Sequence, residues 1–227
     1  MNAVRSKALS NSLNNMEKSK KILLVDDHEI IRNGLSLLIK TFQNNATVDE
    51  AGDGTTALRF LRKKQYDLLI LDVFVPGMDI FQLLKTIGLK WPALRILIFS
   101  MTDESNYGIR FVKAGVKGFV NKSAPSAQLE QAIKTVLSGS NYYSPDMVDQ
   151  ITRAVDQPSS NPFDKLSPKE FEVCVQLIRV LPTTEIARQL GLSPSTIATH
   201  KTRILSKLNV SNLVELNELG KHHHFIQ

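Results

Sequence analysis

Three short aliphatic runs, each stopping abruptly at a polar side chain, constrain the first two thirds of this 227-residue chain more than any other feature. Ile22-Leu23-Leu24-Val25 runs straight into Asp26-Asp27, Leu68-Leu69-Ile70-Leu71 into Asp72, and Ile96-Leu97-Ile98-Phe99 into Ser100. Runs that are continuous rather than alternating belong to strands covered on both faces, and such strands are found in parallel sheets wrapped by helices. Segments of helical spacing at 28–42, 54–64, 79–90, 104–113 and 125–138 separate them, and weaker strands at 46–51 and 117–120 complete the series. The pattern predicts an α/β fold with a doubly wound five-stranded parallel sheet. Gly52-Asp53-Gly54 lacks the spacing of a nucleotide loop and reads as a turn that caps the next helix.

Beyond residue 140 the pattern changes. Asn141-Tyr142-Tyr143-Ser144-Pro145 opens, and Gln157-Pro158-Ser159-Ser160-Asn161-Pro162 closes, a linker over 141–163 that has room for one short helix at 146–155. Strand signals then vanish. Ser167-Pro168-Lys169-Glu170 has the form of a capping box with proline at the first helical position, and Ser193-Pro194 repeats the serine cap. Four helices, at 168–180, 184–190, 194–208 and 212–219, predict a small all-α domain over 164–227. The chain thus divides into a tail at 1–20, an α/β domain at 21–140, the linker and the helical domain.

Charge is unevenly placed, and that limits what the net value of +6 means. Residues 1–21 carry five bases and one acid, residues 22–163 are balanced, and residues 164–227 carry eight bases and six acids. A polyanion-binding surface therefore has to be sought in the helical domain. Its best candidate is the stretch from Gln189 to Val214, which contains no acid. A single cysteine, Cys174, offers no disulfide framework and reads as a buried thiol, which favours a reducing, cytoplasmic setting. No apolar run approaches the roughly 18 residues of a membrane helix, so no membrane partner is expected. The 1–21 segment lacks the apolar stretch of a secretory signal and reads as a solvated tail. His222-His223-His224 has the residue type to hold a metal but reads rather as a short solvated tail.

In an open parallel sheet, ligands sit beyond the carboxyl ends of the strands, so Asp26, Asp27 and Asp72 should meet in one crevice. Clustered carboxylates call for a cation, and an all-oxygen set suits Mg²⁺. Ser100 ends the fourth strand and Lys122 follows the fifth, adding a hydroxyl and an ammonium at the same rim. This is a layout for phosphoryl transfer to a carboxylate, with lysine and metal offsetting the transferred charge. A Mg²⁺-dependent phosphohydrolase with Asp72 as nucleophile is the rival reading; Asp72-Val73-Phe74 lacks the second acid such enzymes commonly carry.

These residues resemble the receiver domain of two-component response regulators, a flavodoxin-like fold. The resemblance implies Asp72 as phosphoacceptor, Ser100 as switch hydroxyl, Phe119 as switch aromatic and Lys122 as the phosphate-contacting lysine. It also implies Mg²⁺ held by Asp26 through water and by Asp27, Asp72 and the backbone carbonyl of Phe74. Phe74 is expected to shield the acyl phosphate from water. The chain departs from the usual Pro-Gly-x-x-Gly after the acceptor, reading Pro76-Gly77-Met78-Asp79-Ile80.

In the helical domain, the helix at 184–190, the turn Gly191-Leu192-Ser193 and the helix from Pro194 form a helix-turn-helix pattern. At about 100° per residue, Ile197, Ile204 and Leu208 share one face with His200 nearby, while Ser195, Thr199, Thr202 and Ser206 share the other. Small hydroxyl side chains admit close approach to base edges, and Lys201, Arg203 and Lys207 are long enough to reach phosphates. The segments Leu166-Ser167-Pro168-Lys169-Glu170-Phe171-Glu172-Val173, Thr184-Glu185-Ile186-Ala187, Leu192-Ser193-Pro194-Ser195-Thr196-Ile197-Ala198-Thr199-His200 and Lys207-Leu208-Asn209-Val210 resemble the DNA-binding domain of NarL/FixJ, or LuxR-like, regulators. The implied DNA-contacting set is Thr184, Ser195, Thr196, Ala198, Thr199, Lys201, Thr202, Arg203 and Lys207. Ala198 stands where many members place a lysine, and Leu181-Pro182 replaces a turn that usually contains glycine. The combination implies a transcription factor rather than an enzyme, phosphorylated by a sensor histidine kinase, binding double-stranded DNA and forming a homodimer when phosphorylated. The expected dimer face is either the last receiver helix or the 212–219 helix.

Overall fold

The computed structural model describes residues 19–223 and Phe225, apart from Gly77 and residues 157–160. Most of the expected N-terminal tail, and His224, lie outside the described residues. Strands β1 (Lys21–Val25), β2 (Thr47–Ala51), β3 (Leu68–Leu71), β4 (Arg95–Ser100) and β5 (Gly118–Asn121) form one parallel sheet in the order β2-β1-β3-β4-β5. The strand order reverses between β1 and β3, which is where such sheets open a crevice. Val25 is in register with Ala51 on one side and Leu71 on the other, so Asp26 and Asp72 leave adjacent strands at the same height.

Alternate residues of the buried runs feed two cores. Ile22, Leu24, Leu68 and Ile70 pack with helices α1 (Glu29–Phe42) and α5 (Ser126–Leu137) on one face. Leu23, Val25, Leu69 and Leu71 pack with α2 (Gly54–Lys63), α3 (Ile80–Lys90) and α4 (Glu104–Lys113) on the other. Asp53 caps α2, accepting from Thr56 N at 2.7 Å, as the Gly-Asp-Gly turn led one to expect.

Part of the stretch read as a linker is docked instead. Tyr142 bridges to Gly118 beside β5, its N–H donating to Lys117 O at 2.8 Å and its carbonyl accepting from Phe119 N at 3.1 Å. Helix α6 (Pro145–Asp156) then packs on α4 through Met147, which is buried against Gly108; a Cβ on Gly108 would come within 2.2 Å of Met147 Sδ.

After a 3₁₀ turn (Pro162–Lys165) come α7 (Pro168–Ile178), α8 (Thr183–Leu190), α9 (Pro194–Leu208) and α10 (Leu213–His222). The capping box forms: Glu170 N donates to Ser167 Oγ at 3.3 Å and Ser167 N to Glu170 Oε2 at 2.8 Å. Gly191, at φ 63°, makes the turn into α9 that a side chain would strain. At the end of α7 the same left-handed conformation falls on a β-branched residue, Val180, at φ 61°. Leu181 N closes back on Gln176 O there, a Schellman-type ending that favours glycine at this position. Val180 is 77% exposed and little packing holds it. Val180→Gly is therefore expected to stabilise the protein by about 1 kcal/mol, raising Tm by a few degrees in thermal denaturation; an unchanged or lower Tm would contradict this.

The core beneath α2, α3 and α4 does not stop at the α/β domain. It continues through Phe163, Phe171, Cys174, Ile197 and Ile204, so the two halves share one apolar interior. No helix among the described residues is long and apolar enough to cross a membrane.

Candidate functional site

At the carboxyl ends of β1 and β3 the structure brings four of the expected residues into direct contact. Lys122 Nζ lies 2.6 Å from Asp26 Oδ2 and 2.7 Å from Asp72 Oδ2, bridging two carboxylates that are both nearly inaccessible to solvent. Burial alone would depress the lysine pKa, but the two carboxylates hold it above its ordinary value. The other oxygen of Asp72 accepts from Ser100 Oγ at 2.6 Å and from Val73 N at 2.6 Å. Both oxygens are thus oriented before any reaction. Asp27 is more open and meets His28, whose Nδ1 is 2.7 Å away. The donor atoms of Asp26, Asp27, His28 and Asp72 all lie within 4.8 Å of one another. The three carboxylates among them are hard oxygen donors that fit Mg²⁺.

Phe119 sits below this rim rather than in it. It is buried and stacks on Phe111 at 6.4 Å between centroids; Phe111 stacks on Tyr107 at 5.2 Å; Tyr107 meets Phe171 of α7 edge-on at 5.1 Å. A continuous row of rings joins the sheet to the helical domain.

Charged groups complete that junction, and sequence reading missed them. Arg110 donates to Phe163 O and Leu166 O at 2.7 and 2.9 Å while its guanidinium lies 4.3 Å from the Phe171 ring centre. Arg179, at the end of α7, covers the Phe74 ring at 3.7 Å. With Asp27, Glu172 and Arg188 these two residues line a cavity of about 510 Å³ over the pocket mouth. Asp79 caps α3 and also receives Lys169 Nζ at 2.9 Å, and Glu172 takes Ile80 N at 3.2 Å.

Burial, then its hydrogen bond to Asp79, pushes Glu172 up to about 8. Burial opposes ionisation of Asp79 as well, yet its bonds from Glu172, Lys169 and Gln82 keep it below the usual carboxylate range. The junction thus keeps a proton on Glu172 that the separated domains would release near pH 4.5. The raised pKa means that this contribution to docking is fully present below the free value and is lost as pH climbs through about 8. Small-angle scattering is expected to show the domains separating on the alkaline side, and Glu172→Gln to remove that limb; identical pH profiles would contradict the assignment.

On α9 the expected reading face is exposed, with Ser195, Ala198, Thr199, Thr202 and Arg203 all open to solvent, while Thr196 and Lys201 are partly covered. Ile197, Ile204 and Leu208 are buried on the opposite side. Thr199 and Thr202 donate to Ser195 O and Ala198 O, leaving their hydroxyl oxygens free to accept. Lys207 is held at 2.6 Å by Glu170, which Lys207 and Ser167 lower to about 2 against the opposing effect of burial; reaching a phosphate requires leaving that partner. Thr184 is exposed on α8. His200 is partly buried beside the apolar stripe, and burial lowers its pKa. Cys174 is buried, its thiol pushed up to about 12 by that burial.

Comparison with known proteins accounts for both halves. Residues 22–134 match the response regulator receiver domain, and residues 164–219 the bacterial regulatory proteins of the luxR family. Response regulator GacA of Pseudomonas syringae pv. syringae (strain B728a) is 30% identical over 205 residues, covering 89% of this chain and 96% of the relative. The Fimbriae Z protein of Salmonella typhimurium is 34% identical over 209 residues, covering 92% of this chain and all of the relative. Among solved structures, RcsB from Salmonella enterica serovar Typhimurium, bound to promoter P1flhDC in the presence of phosphomimetic BeF3-, superposes with a TM-score of 0.69 at 25% identity over 89% of this chain and 98% of its own. These three relatives each align with about nine tenths of this chain, and with the order seen here, receiver first and LuxR-type DNA-binding domain second, they place the chain in the family of two-component DNA-binding response regulators.

Proposed function

We propose that Asp72 is the phosphoacceptor of this response regulator and that its modification controls DNA binding by α9. The observation that carries this reading is the buried Asp72 carboxylate, with Ser100 Oγ on one oxygen and Lys122 Nζ on the other. A carboxylate oxygen of Asp72 attacks the phosphorus of a phosphohistidine on a sensor kinase; the acyl O–P bond forms, the P–N bond breaks, and the released imidazole takes a proton. Asp26, Asp27, Asp72 and the Phe74 carbonyl would hold Mg²⁺, which when bound offsets charge on the transferred phosphoryl oxygens. Lys122 turns from the carboxylate to a phosphoryl oxygen, and Ser100 exchanges its bond to Asp72 for one to the new group. Phe119 then repacks against Phe111, and the row of rings passes the change to Phe171.

The division into a receiver at 21–140, a linker at 141–163 and a DNA reader at 164–227 follows the same logic, with residues 141–156 acting as part of the receiver. In the reader, Thr199 and Thr202 address base edges, Arg203 and Lys201 the phosphates, and Ser195, Thr196, Ala198 and Thr184 line the approach. Two copies would place their α9 helices on half-sites about one DNA turn apart, as helix-turn-helix dimers do. The buried, unpaired thiol of Cys174 suits a cytoplasmic setting.

Intact-mass analysis after incubation with acetyl phosphate and Mg²⁺ tests the acceptor. Wild type is expected to gain one phosphoryl group and Asp72→Asn none; an adduct that persists in Asp72→Asn would contradict the assignment.

A further inference from the structure

A second cavity, of about 1120 Å³, has none of the acidic-pocket residues in its wall. Helices α3 and α4 form its receiver side, and the 3₁₀ turn and the start of α7 form the other, so both halves of the chain line it. Clefts of this size between domains are common ligand sites. Its apolar surface comes from Phe81, Leu84, Leu89 and Ile109, and Leu89 is left 75% exposed. Four bases and two acids complete the wall, and the acids are already taken. Asp79 holds Lys169 at 2.9 Å, and Asp164 faces Arg110 at 3.9 Å. Arg110 is further committed to the carbonyls of Phe163 and Leu166. Lys85 and Lys113 remain, both exposed and neither with an ion-pair partner among the described residues. Their own helices offer none nearby: α3 contains no acid, and the only one in α4, Glu104, lies at its far end. Apolar surface beside two uncompensated ammonium groups is complementary to an apolar body that carries an anionic group.

We propose that this cavity binds a small organic anion with an apolar body, that Lys85 and Lys113 take its acid group, and that the bound anion holds the helical domain against the receiver. Only the docked arrangement supplies both walls. A ligand that touches both therefore binds the docked form better and opposes separation of the halves by the ratio of its two affinities. The site gives the protein a second input that does not pass through Asp72.

Naphthalene-2-sulfonate and naphthalene-2-sulfonamide share a ring body and differ in charge, so as probes they separate the two requirements. Nuclear magnetic resonance titrations of the full-length protein are expected to show one saturable site for the sulfonate and binding of the sulfonamide weaker by about fivefold or more. Nuclear Overhauser contacts should run from the naphthyl protons to Leu89 and Ile109 on one wall and to Pro168 on the other. Changing Lys85→Gln and Lys113→Gln together should weaken the sulfonate about tenfold and the sulfonamide by less than about twofold. Absence of saturable binding, equal affinity for the two probes, or undiminished sulfonate binding in the double variant overturns the anion site. Contacts to the receiver wall alone overturn the bracing role. Sulfonate binding that weakens as protein concentration rises assigns the cavity to a second copy of the chain and overturns the proposal as well.

Discussion

Truncating Phe171 to alanine is expected to release the helical domain from the receiver. Phe171 is fully buried on α7, meets Phe81 and Tyr107 edge-on at 6.2 and 5.1 Å, and carries the Arg110 guanidinium over its face at 4.3 Å. Those three partners all belong to the receiver, so the cavity left by truncation opens at the junction rather than inside one fold. Loss of a buried phenylalanine costs about 3–5 kcal/mol, which is more than a hundredfold in an equilibrium constant. The ring also touches Phe225 at 5.8 Å, so part of the cost falls on the helical domain itself. Circular dichroism separates the two effects: helix content is expected to persist while the radius of gyration from small-angle scattering increases. An unchanged scattering profile in a folded Phe171→Ala protein would show that the ring does not hold the halves together.

That junction was the part of the molecule least legible in the sequence. The aliphatic runs, with their abrupt polar ends, were enough to place Asp26, Asp72, Ser100 and Lys122 at one rim, because strand ends in a parallel sheet converge whatever the loops do. Caps were equally readable, since Ser167 and Glu170 lie one helical turn apart and satisfy each other locally. Phe81, Tyr107 and Phe171 gave no such signal. Each has the spacing of an ordinary core residue of its own helix, and a single sequence does not reveal that two apolar faces meet. The pairing of Asp79 with Lys169 spans 90 residues, and Lys207 looked like a free phosphate contact until Glu170 proved to hold it. The 141–156 stretch was read as linker from its polar and proline residues, while Tyr142 and Met147, the anchors that dock it, are isolated apolar positions.

The recognition face of α9 is already exposed while the domains are docked, so in this structure the receiver does not cover the DNA-reading surface. Under the proposed function, control would therefore act on how two copies present their reading helices together. Phosphorylation adds charge and acceptor oxygens at a buried carboxylate whose two oxygens are already committed to Ser100 and Lys122. Both partners would have to move, and the ring row from Phe119 to Phe171 runs from the same sheet into the helical domain. Asp72→Asn keeps the size of the side chain and one acceptor oxygen but removes the charge, the second acceptor and the nucleophile. It is expected to fold, to bind DNA at the basal level, and to lose the whole response to a phosphodonor. Coupling between distant sites is typically 1–3 kcal/mol, so the response lost should amount to about 5- to 150-fold in affinity.

The most direct measurement is fluorescence anisotropy on a duplex selected from a random library by the phosphorylated protein, comparing wild type and Asp72→Asn with and without acetyl phosphate and Mg²⁺. Tightening confined to wild type with the phosphodonor is the predicted result. Equal affinity in all four conditions would contradict it.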